Sequence, residues 1–218
     1  MSKINIAIDG PVGSGKTTIG RLLAERLNYH FFDSGLLYRH FAFFYQQNVS
    51  FHHEKEKVLS LWKEWLEKNP EKIVLVLEKE RVQLSSPVIS DLASQLSPLP
   101  ELRKIILNFQ RELTKNKGWV VVGRDITSEV LPTARIKIFL TASLEERAKR
   151  RNNQYGKKII LDEVKKELQT RDERDKNRKI SPLIKTADSW ELDTTSLSLA
   201  ESVEKILQYI GGKQGREY

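Results

Sequence analysis

The stretch Gly10-Pro11-Val12-Gly13-Ser14-Gly15-Lys16-Thr17 fits the pattern G-x-x-x-x-G-K-[ST] and decides the fold. A β-branched apolar run, residues 4–8, precedes it, and an amphipathic segment, residues 18–27, follows it. Glycines let backbone N–H groups close on an anion, and the start of a helix adds its own unpaired N–H groups. The alternative is a plain glycine-rich turn, but the flanking strand and helix favour a nucleoside triphosphate site.

The loop residues have distinct expected roles. Lys16 is expected to reach the β- and γ-phosphates, and Thr17 to bind Mg²⁺ through its hydroxyl. The residues predicted to hold the triphosphate are Gly10, Pro11, Val12, Gly13, Ser14, Gly15, Lys16, Thr17 and Thr18.

Composition narrows the class of protein. At 218 residues the chain can bury a full core and is expected to form one domain with insertions. No apolar run approaches the ~18 residues of a membrane span, and the chain begins directly with a predicted strand, so we expect a cytoplasmic protein without a membrane segment. The absence of cysteine excludes disulfides and thiolate metal sites.

The net charge of +8 suits anionic ligands. Nucleic acid is the competing explanation. The basic residues are interleaved with 29 acidic ones and form no long run, so we expect small anionic substrates and no nucleic-acid partner.

Apolar periodicity predicts alternating strands and helices. Strands are expected at residues 4–8, 29–32, 119–122, 135–140 and 190–193, and helices at 18–27, 36–47, 54–68, 101–115, 145–151, 161–178 and 199–210. The middle of the chain is expected to add a hairpin, residues 73–77 and 82–85, and the polar tail 211–218 is expected to be mobile. This order predicts an α/β fold of three layers, a parallel five-stranded sheet flanked by helices.

Missing motifs exclude some nucleotide-binding classes. No Asn-Lys-x-Asp stretch is present to read guanine, and no apolar strand ends directly in a Mg²⁺-binding aspartate of the motor type. Arginine is abundant instead where loops leave the carboxyl ends of parallel strands, the edge at which ligands bind. These candidates for phosphate contacts are Arg39, Arg103, Arg124, Arg147, Arg150, Arg151, Arg171, Arg174 and Arg178.

Further motifs make the chain similar to a known family. It resembles the bacterial cytidylate (CMP/dCMP) kinases, P-loop enzymes of the nucleoside monophosphate kinase family. The resemblance covers residues 4–47 and 93–210 and rests on Ile8-Asp9-Gly10-Pro11, Asp33-Ser34-Gly35 with Tyr38-Arg39, Ala93-Ser94-Gln95 with Arg103, Gly123-Arg124-Asp125, the segments 137–142 and 145–148, the run 171–178, and Leu192-Asp193-Thr194-Thr195. Members of that family carry a small antiparallel sheet in a middle insertion. The middle segment of this chain is similar to that insertion only in its general character.

The resemblance implies contacts to the base of the acceptor nucleotide. Ser34 is expected beside the base, although a serine at this point could be only a helix N-cap. Ser94 and Arg103 are expected on the cytosine edge, and Asp125 near its amino group. The simple alternatives are a surface serine, an exposed helix charge and a salt bridge at a strand end.

The resemblance also implies contacts to the acceptor phosphate and ribose. Arg39, Arg124 and Arg178 are expected on the phosphate, and Arg171 and Asp175 on the ribose. Helical spacing places Arg171, Asp175 and Arg178 on one face, where a solvated helix with ion pairs would look the same. The predicted substrate-binding set is Ser34, Tyr38, Arg39, Ser94, Arg103, Arg124, Asp125, Arg171, Asp175 and Arg178.

The implied reaction is transfer of the γ-phosphoryl group of ATP to CMP or dCMP by a monomeric enzyme. The acceptor is a phosphate whose second pKa is about 6, so no general base is needed. The residues expected to act on the transferred group are Lys16, Arg124, Arg178 and Arg150. An insertion at residues 48–97 and a lid at 147–160, carrying Arg147, Arg150 and Arg151, are expected to move on binding. The alternatives are a kinase for another small molecule, such as shikimate, and a non-enzymatic nucleotide switch.

Overall fold

Five strands form one sheet in the computed structural model, which describes residues 3–48, 55–68, 72–156 and 159–214. The strands are β1 (Ile6–Asp9), β2 (His30–Asp33), β3 (Trp119–Gly123), β4 (Ile136–Thr141) and β5 (Trp190–Asp193), in the order β2-β3-β1-β4-β5. The central strand β1 runs parallel to β3 and β4, and β4 runs parallel to β5. The predicted parallel five-stranded sheet is confirmed.

The helices within the described ranges are α1 (Lys16–Leu27), α2 (Gly35–Gln47), α3 (Lys55–Lys68), α4 (Ile73–Lys79), α5 (Arg81–Leu84), α6 (Pro87–Leu96), α7 (Pro100–Leu113), α8 (Leu144–Gln154), α9 (Leu161–Asn177) and α10 (Leu199–Gln214). A π-helical turn, Ile126–Val130, follows β3. The chain divides into two compact units: unit 1 comprises Met1–Phe32 and Thr114–Tyr218, and unit 2 comprises Asp33–Leu113.

Unit 1 has its core on the sheet. The runs 6–8 and 120–122 are almost completely buried, as expected for strands covered on both faces. Apolar residues of α1 and α10 pack against this cluster, among them Leu23 and Ile206. A second, smaller cluster joins Val12 of the glycine-rich loop to Ala148 of α8 and to Leu168 of α9. The sheet and this cluster hold the loop on both sides.

The described residues of unit 2 after Asp33 form helices joined by turns, and the predicted hairpin is wrong. Residues 73–77 lie in α4 and residues 82–84 in α5. Ile73 and Leu77 are fully buried whereas Leu75 is 65% exposed, which is the spacing of one helix face. The antiparallel sheet suggested by the resemblance is likewise absent from residues 72–97. Helix α6, which periodicity did not predict, begins after Ser86, whose hydroxyl accepts a hydrogen bond from the backbone nitrogen of Ile89.

The end of the chain also differs from expectation. Helix α10 extends to Gln214, so residues 211–214 of the predicted tail are helical, and residues 215–218 lie outside the described ranges. Residues 49–54, 69–71 and 157–158 of the predicted insertion and lid also lie outside them. Within the described part of the chain, no helix is long and apolar enough to cross a membrane.

Candidate active site

The glycine-rich loop connects β1 to α1 and adopts a backbone that requires glycine. Gly13 has φ of 77° and Gly10 has φ of 151°. A β-carbon on Gly10 would lie 2.0 Å from the carbonyl oxygen of Leu140, so β4 leaves no room for a side chain there. Position 10 therefore requires glycine for both its backbone conformation and its closeness to β4.

Lys16 is the first residue of α1, and its side chain lies across the loop. Its Nζ donates to the carbonyl oxygen of Pro11 at 2.6 Å and to Oγ of Ser14 at 3.2 Å, and the residue is 7% exposed. Thr17 and Thr18 follow in the first turn, where Thr17 is half-buried and Thr18 is exposed. The predicted ATP-binding residues, Gly10 to Thr18, thus lie in the loop and the first turn of α1.

A second cluster of unit 1 centres on Asp175 in α9. Nε of Arg124, which follows β3, donates to Oδ2 of Asp175 at 2.8 Å. Burial alone would raise the pKa of Asp175, but three guanidinium groups hold it below its ordinary value. They belong to Arg124, Arg171 and Arg178. Nη2 of Arg178 also lies 4.0 Å from Oδ1 of Asp125.

This cluster brings together the five predicted substrate-binding residues of unit 1: two directly after β3, two in α9, and Arg178 directly after α9. Removing this many charged groups from water costs free energy, which close pairing of arginine with carboxylate, or a bound ligand, can offset. The arrangement suits an anion with hydroxyl groups nearby.

Arg150 in α8 lies beside the loop. Its guanidinium donates to Oγ1 and the carbonyl oxygen of Thr194, at 3.0 and 2.7 Å, and to Glu146 at 2.9 Å. One of its nitrogens is 3.8 Å from the position that a β-carbon on Gly15 would occupy. Arg150 can therefore reach a ligand of the loop with little movement.

Arg147 is in a different setting from the lid expected from the sequence. It is 7% exposed, and its guanidinium donates to the carbonyl oxygens of Val12 and Ala142 and to Asp172. An arginine fixed by three partners in the interior belongs to the framework of unit 1. A lid role remains a prediction for Arg150 and Arg151.

In unit 2, Ser34 precedes α2, but its side chain makes no N-cap hydrogen bond. Its Oγ accepts instead from Nε2 of Gln110 in α7 at 2.5 Å, and both residues are 2% exposed. The simple N-cap explanation for Ser34 is therefore wrong. Gln110 was not among the predicted residues, because a partner 76 positions away leaves no local signal in the sequence.

The other predicted residues of unit 2 lie on α2, α6 and α7. Arg39 donates to Oδ2 of Asp33 at 3.3 Å, and Arg103 has its guanidinium carbon 5.6 Å from the ring centre of Tyr38. Ser94 is 5% exposed, and its hydroxyl has no hydrogen-bond partner among the described residues. A buried hydroxyl without a partner is unfavourable unless a ligand satisfies it.

A comparison with known families identifies the chain. The model of the family described as cytidylate kinase matches residues 6–212. The chain belongs to the cytidylate kinase family. The match runs through the loop, the Asp175 cluster and the residues of unit 2 described above.

Individual members of the family match over nearly full length. The cytidylate kinase of Mycoplasmopsis synoviae is 41% identical over 95% of this chain and 98% of its own. That of Carboxydothermus hydrogenoformans is 40% identical over 96% of this chain and 98% of its own. Among solved structures, shikimate kinase from Acinetobacter baumannii in complex with shikimate has a TM-score of 0.54 at 21% identity, covering 99% of this chain and 96% of its own. That last likeness shows a shared fold.

Asp9 is a site residue to which sequence reasoning gave no role of its own. It ends β1, directly before Gly10, and is fully buried. Its carboxylate accepts from the backbone nitrogens of Ile126 and Thr127 and from the hydroxyl of Thr127. An aspartate at the end of an apolar strand was the available signal. Within the described ranges, no group of three or more His, Asp or Glu side chains could hold a metal ion.

Proposed function

We propose that this member of the cytidylate kinase family transfers the γ-phosphoryl group of ATP to CMP or dCMP, giving ADP and CDP or dCDP. Family membership over residues 6–212 supports the reaction class. The observation that carries the choice of acceptor is the buried hydroxyl of Ser94, which has no hydrogen-bond partner among the described residues and lies on the same unit as Ser34 and Arg103.

The glycine-rich loop is proposed to hold the triphosphate of ATP. Its backbone nitrogens and the start of α1 offer N–H groups to phosphate oxygens. The ammonium group of Lys16 already lies between loop atoms, and a phosphate oxygen can replace the carbonyl of Pro11 as its partner. Arg150, beside Gly15, supplies a further positive charge to the phosphates.

The hydroxyl of Thr17 is proposed to ligate Mg²⁺. An oxygen ligand in the first helical turn after Lys16 suits this hard cation, which usually keeps several water and phosphate ligands in addition to one or two from protein. When bound, Mg²⁺ neutralises charge on the phosphates of ATP. Asp9, directly before the loop, binds the turn after β3, whose backbone nitrogens donate to both of its oxygens.

The acceptor nucleotide is proposed to contact ten side chains, whose types fit its parts. Hydroxyl, guanidinium and carboxylate groups suit the edge of cytosine, which offers both acceptors and an amino donor. Guanidinium groups suit the phosphate. The set comprises Ser34, Tyr38, Arg39, Ser94, Arg103, Arg124, Asp125, Arg171, Asp175 and Arg178.

Catalysis in this proposal is positioning and charge neutralisation. The nucleophile is a phosphate oxygen, already anionic near neutral pH, so no side chain has to remove a proton. Lys16, Arg124, Arg178 and Arg150 stabilise negative charge that spreads over the transferred group. Movement of residues 48–97, and of the part of the predicted 147–160 lid that follows Arg147, would exclude water on binding, which otherwise competes as acceptor. These movements, the monomeric state and the cytoplasmic location remain predictions.

The proposal is tested by ADP release from Mg·ATP with CMP, dCMP, UMP, AMP, GMP or shikimate offered in parallel. We expect release to be fastest with CMP and dCMP, and Ser94→Ala to raise the KM for CMP while leaving the KM for ATP within about twofold. Release that requires AMP or shikimate would overturn the acceptor assignment. Loss of turnover in Lys16→Ala, with unchanged thermal unfolding, is the control that the activity belongs to this site.

A further inference from the structure

Arg147 lies at the contact between the glycine-rich loop, α8 and α9. Its Nε donates to the carbonyl oxygen of Ala142 at 3.0 Å, and its Nη1 donates to the carbonyl oxygen of Val12 at 3.1 Å. The same Nη1 donates to Oδ2 of Asp172 at 2.6 Å. Residue 142 directly follows β4 and residue 172 lies in α9, whereas residue 12 lies in the loop. The guanidinium therefore connects the loop to β4 and α9, which form the frame around it.

The bond to Val12 fixes one peptide plane of the loop. A trans peptide is planar, with its carbonyl oxygen and its amide hydrogen on opposite sides, and cis peptides are absent from the described residues. Because the Val12 carbonyl points to Arg147, the N–H of Gly13 points the opposite way, away from α8. A backbone N–H directed away from the frame is available to an anion held by the loop.

Helix α8 also packs closely against the loop at Gly13. A β-carbon on this residue would lie 3.0 Å from Cβ of Arg147 and 3.1 Å from its carbonyl oxygen. Gly13 has φ of 77°, so backbone conformation and lack of space both require glycine. The peptide that Arg147 orients by hydrogen bonding is thus the one against which its own backbone packs.

Asp172 keeps the guanidinium in place. The two side chains are 9% and 11% exposed, so the pair is almost completely removed from water. A charged hydrogen bond of this kind restricts the guanidinium plane, and loss of one partner leaves a buried charge uncompensated. The neighbouring Arg150 and Arg151 have other partners, Thr194 and Tyr155. The tie to Val12 is therefore a feature of the Arg147–Asp172 pair.

We propose that Arg147, oriented by Asp172, is a positioning residue that presets the phosphate-binding conformation of the loop by holding the Val12 carbonyl away from the ligand. The inference rests on the proposed function only in that the loop binds the triphosphate of ATP. It assigns Arg147 no contact with the nucleotide base and no part in a moving lid.

The test uses Asp172→Asn, which keeps the size of the side chain, and Arg147→Lys, which keeps a positive charge. Lys149→Ala is the matched control, because Lys149 lies on the same helix, is 56% exposed and only pairs weakly with Glu145 at 3.8 Å. For each variant we would measure the KM for ATP, the KM for CMP, inhibition by inorganic tripolyphosphate in competition with ATP, and thermal unfolding.

We expect both variants to raise the KM for ATP and the inhibition constant of tripolyphosphate by the same factor, about tenfold. The KM for CMP should stay within about twofold, and Lys149→Ala should match the wild type. Equal factors are the signature of a loop effect, since tripolyphosphate has neither base nor sugar.

Other results would overturn the inference. A raised KM for ATP with unchanged tripolyphosphate inhibition would show that Arg147 contacts the nucleoside. Lower thermal stability with all three constants unchanged would show a purely structural pair. Should Arg147→Lys not fold, Asp172→Asn decides alone. A wild type that binds ATP and tripolyphosphate but does not phosphorylate CMP would reject the proposed function and leave this inference standing.

Discussion

Thr127 donates two hydrogen bonds to one oxygen of Asp9, from its backbone nitrogen and from its hydroxyl, and each is 2.7 Å long. The other oxygen of Asp9 accepts from the backbone nitrogen of Ile126 at 3.0 Å. Asp9 directly precedes the phosphate-binding loop, and the turn it binds directly follows Arg124 and Asp125. One carboxylate therefore fastens the start of the loop to the segment that carries two predicted substrate residues.

The first prediction concerns the titration of Asp9. Burial is the main cause that raises its pKa from 3.8 to about 6, against the lowering effect of the Thr127 and Ile126 hydrogen bonds, and nearby Asp125 raises it further. The folded protein thus holds this proton more tightly than the unfolded chain. Its contribution to stability is full below pH 4 and is lost as the pH rises through 6. The loss amounts to about 3 kcal/mol by the usual conversion of pKa shifts.

Urea unfolding of the wild type and of Asp9→Asn between pH 4 and 7.5 measures this effect. The unfolding free energy of the wild type should fall relative to that of Asp9→Asn as the pH rises, because asparagine does not titrate. A difference that stays constant over this range would contradict the prediction. Thr127→Ser, which keeps both donors, should show the pH dependence of the wild type.

The second prediction concerns Arg124, whose Nε donates to Asp175. Arg124→Ala removes a positive charge directed at the proposed acceptor phosphate, and we expect kcat/KM for CMP to fall by roughly a hundredfold or more. The fold should remain, since the guanidinium is not part of the apolar core. Steady-state kinetics with circular dichroism would check both statements.

A suitable control for Arg124 is Arg26→Ala, which removes an arginine of unit 1 whose side chain is 58% exposed and pairs with Glu204. Exposed pairs contribute little, so this variant should keep wild-type kinetics. Near-normal turnover of Arg124→Ala would reject the role of Arg124 in catalysis.

Local patterns in the sequence predicted the elements that a short segment determines by itself. The glycine-rich loop with its strand and helix is one example, and the spacing that brings Arg171 and Asp175 of α9 together with Arg178, the residue after it, is another. The run 73–77 was misread because a short apolar, β-branched segment suits a strand or a buried helix equally. Burial of Ile73 and Leu77 with Leu75 exposed between them decides for the helix, because a strand would place all three on one face, and that burial comes from the rest of unit 2.

Contacts between distant residues had no signal in the sequence. In the sequence, Arg147 is one of several arginines on a polar helix. Its partners in the fold are Asp172, 25 residues later, and Val12, 135 residues earlier. The bond between Gln110 and Ser34 is similar. Sequence patterns locate residue types on elements, whereas these side chains acquire their environment only from packing.

The third prediction concerns His40 in unit 2. Its Nδ1 accepts from Nε1 of Trp62 at 2.9 Å, and its ring stacks on Trp65 with centres 4.3 Å apart. Burial lowers the pKa of His40 from 6.5 to about 4, so the ring is neutral in the folded protein at pH 7. Its contribution to stability is present above pH 6.5 and is lost as the pH falls towards 4, by about 3 kcal/mol.

His40→Gln isolates this effect, because glutamine can accept the Trp62 hydrogen bond but does not titrate. Between pH 7 and 4.5, unfolding free energy should fall more steeply for the wild type than for the variant, as followed by urea titration with tryptophan fluorescence. Glu80, 3.8 Å from Nε2, would limit the loss if it pairs with the protonated ring. Parallel curves would show that His40 does not titrate in this range. Asp9 acts in the opposite direction below pH 6, so only comparisons with the matched variants separate the two groups.

The last prediction contrasts two helical glycines. A β-carbon on Gly20 of α1 would lie 2.6 Å from Cγ1 of Val122 and 3.0 Å from Cε2 of Phe31, whereas one on Gly211 of α10 would meet none of the described residues within 4 Å. Alanine favours a helix over glycine by up to about 1 kcal/mol. We therefore expect Gly211→Ala to stabilise the protein by up to that amount, and Gly20→Ala to destabilise it by about 1–3 kcal/mol, because α1 must shift from Val122 of β3 and Phe31 of β2. Urea unfolding of both variants at one pH measures the contrast, and stabilisation by Gly20→Ala would mean that α1 and β3 are packed less closely than the structure shows.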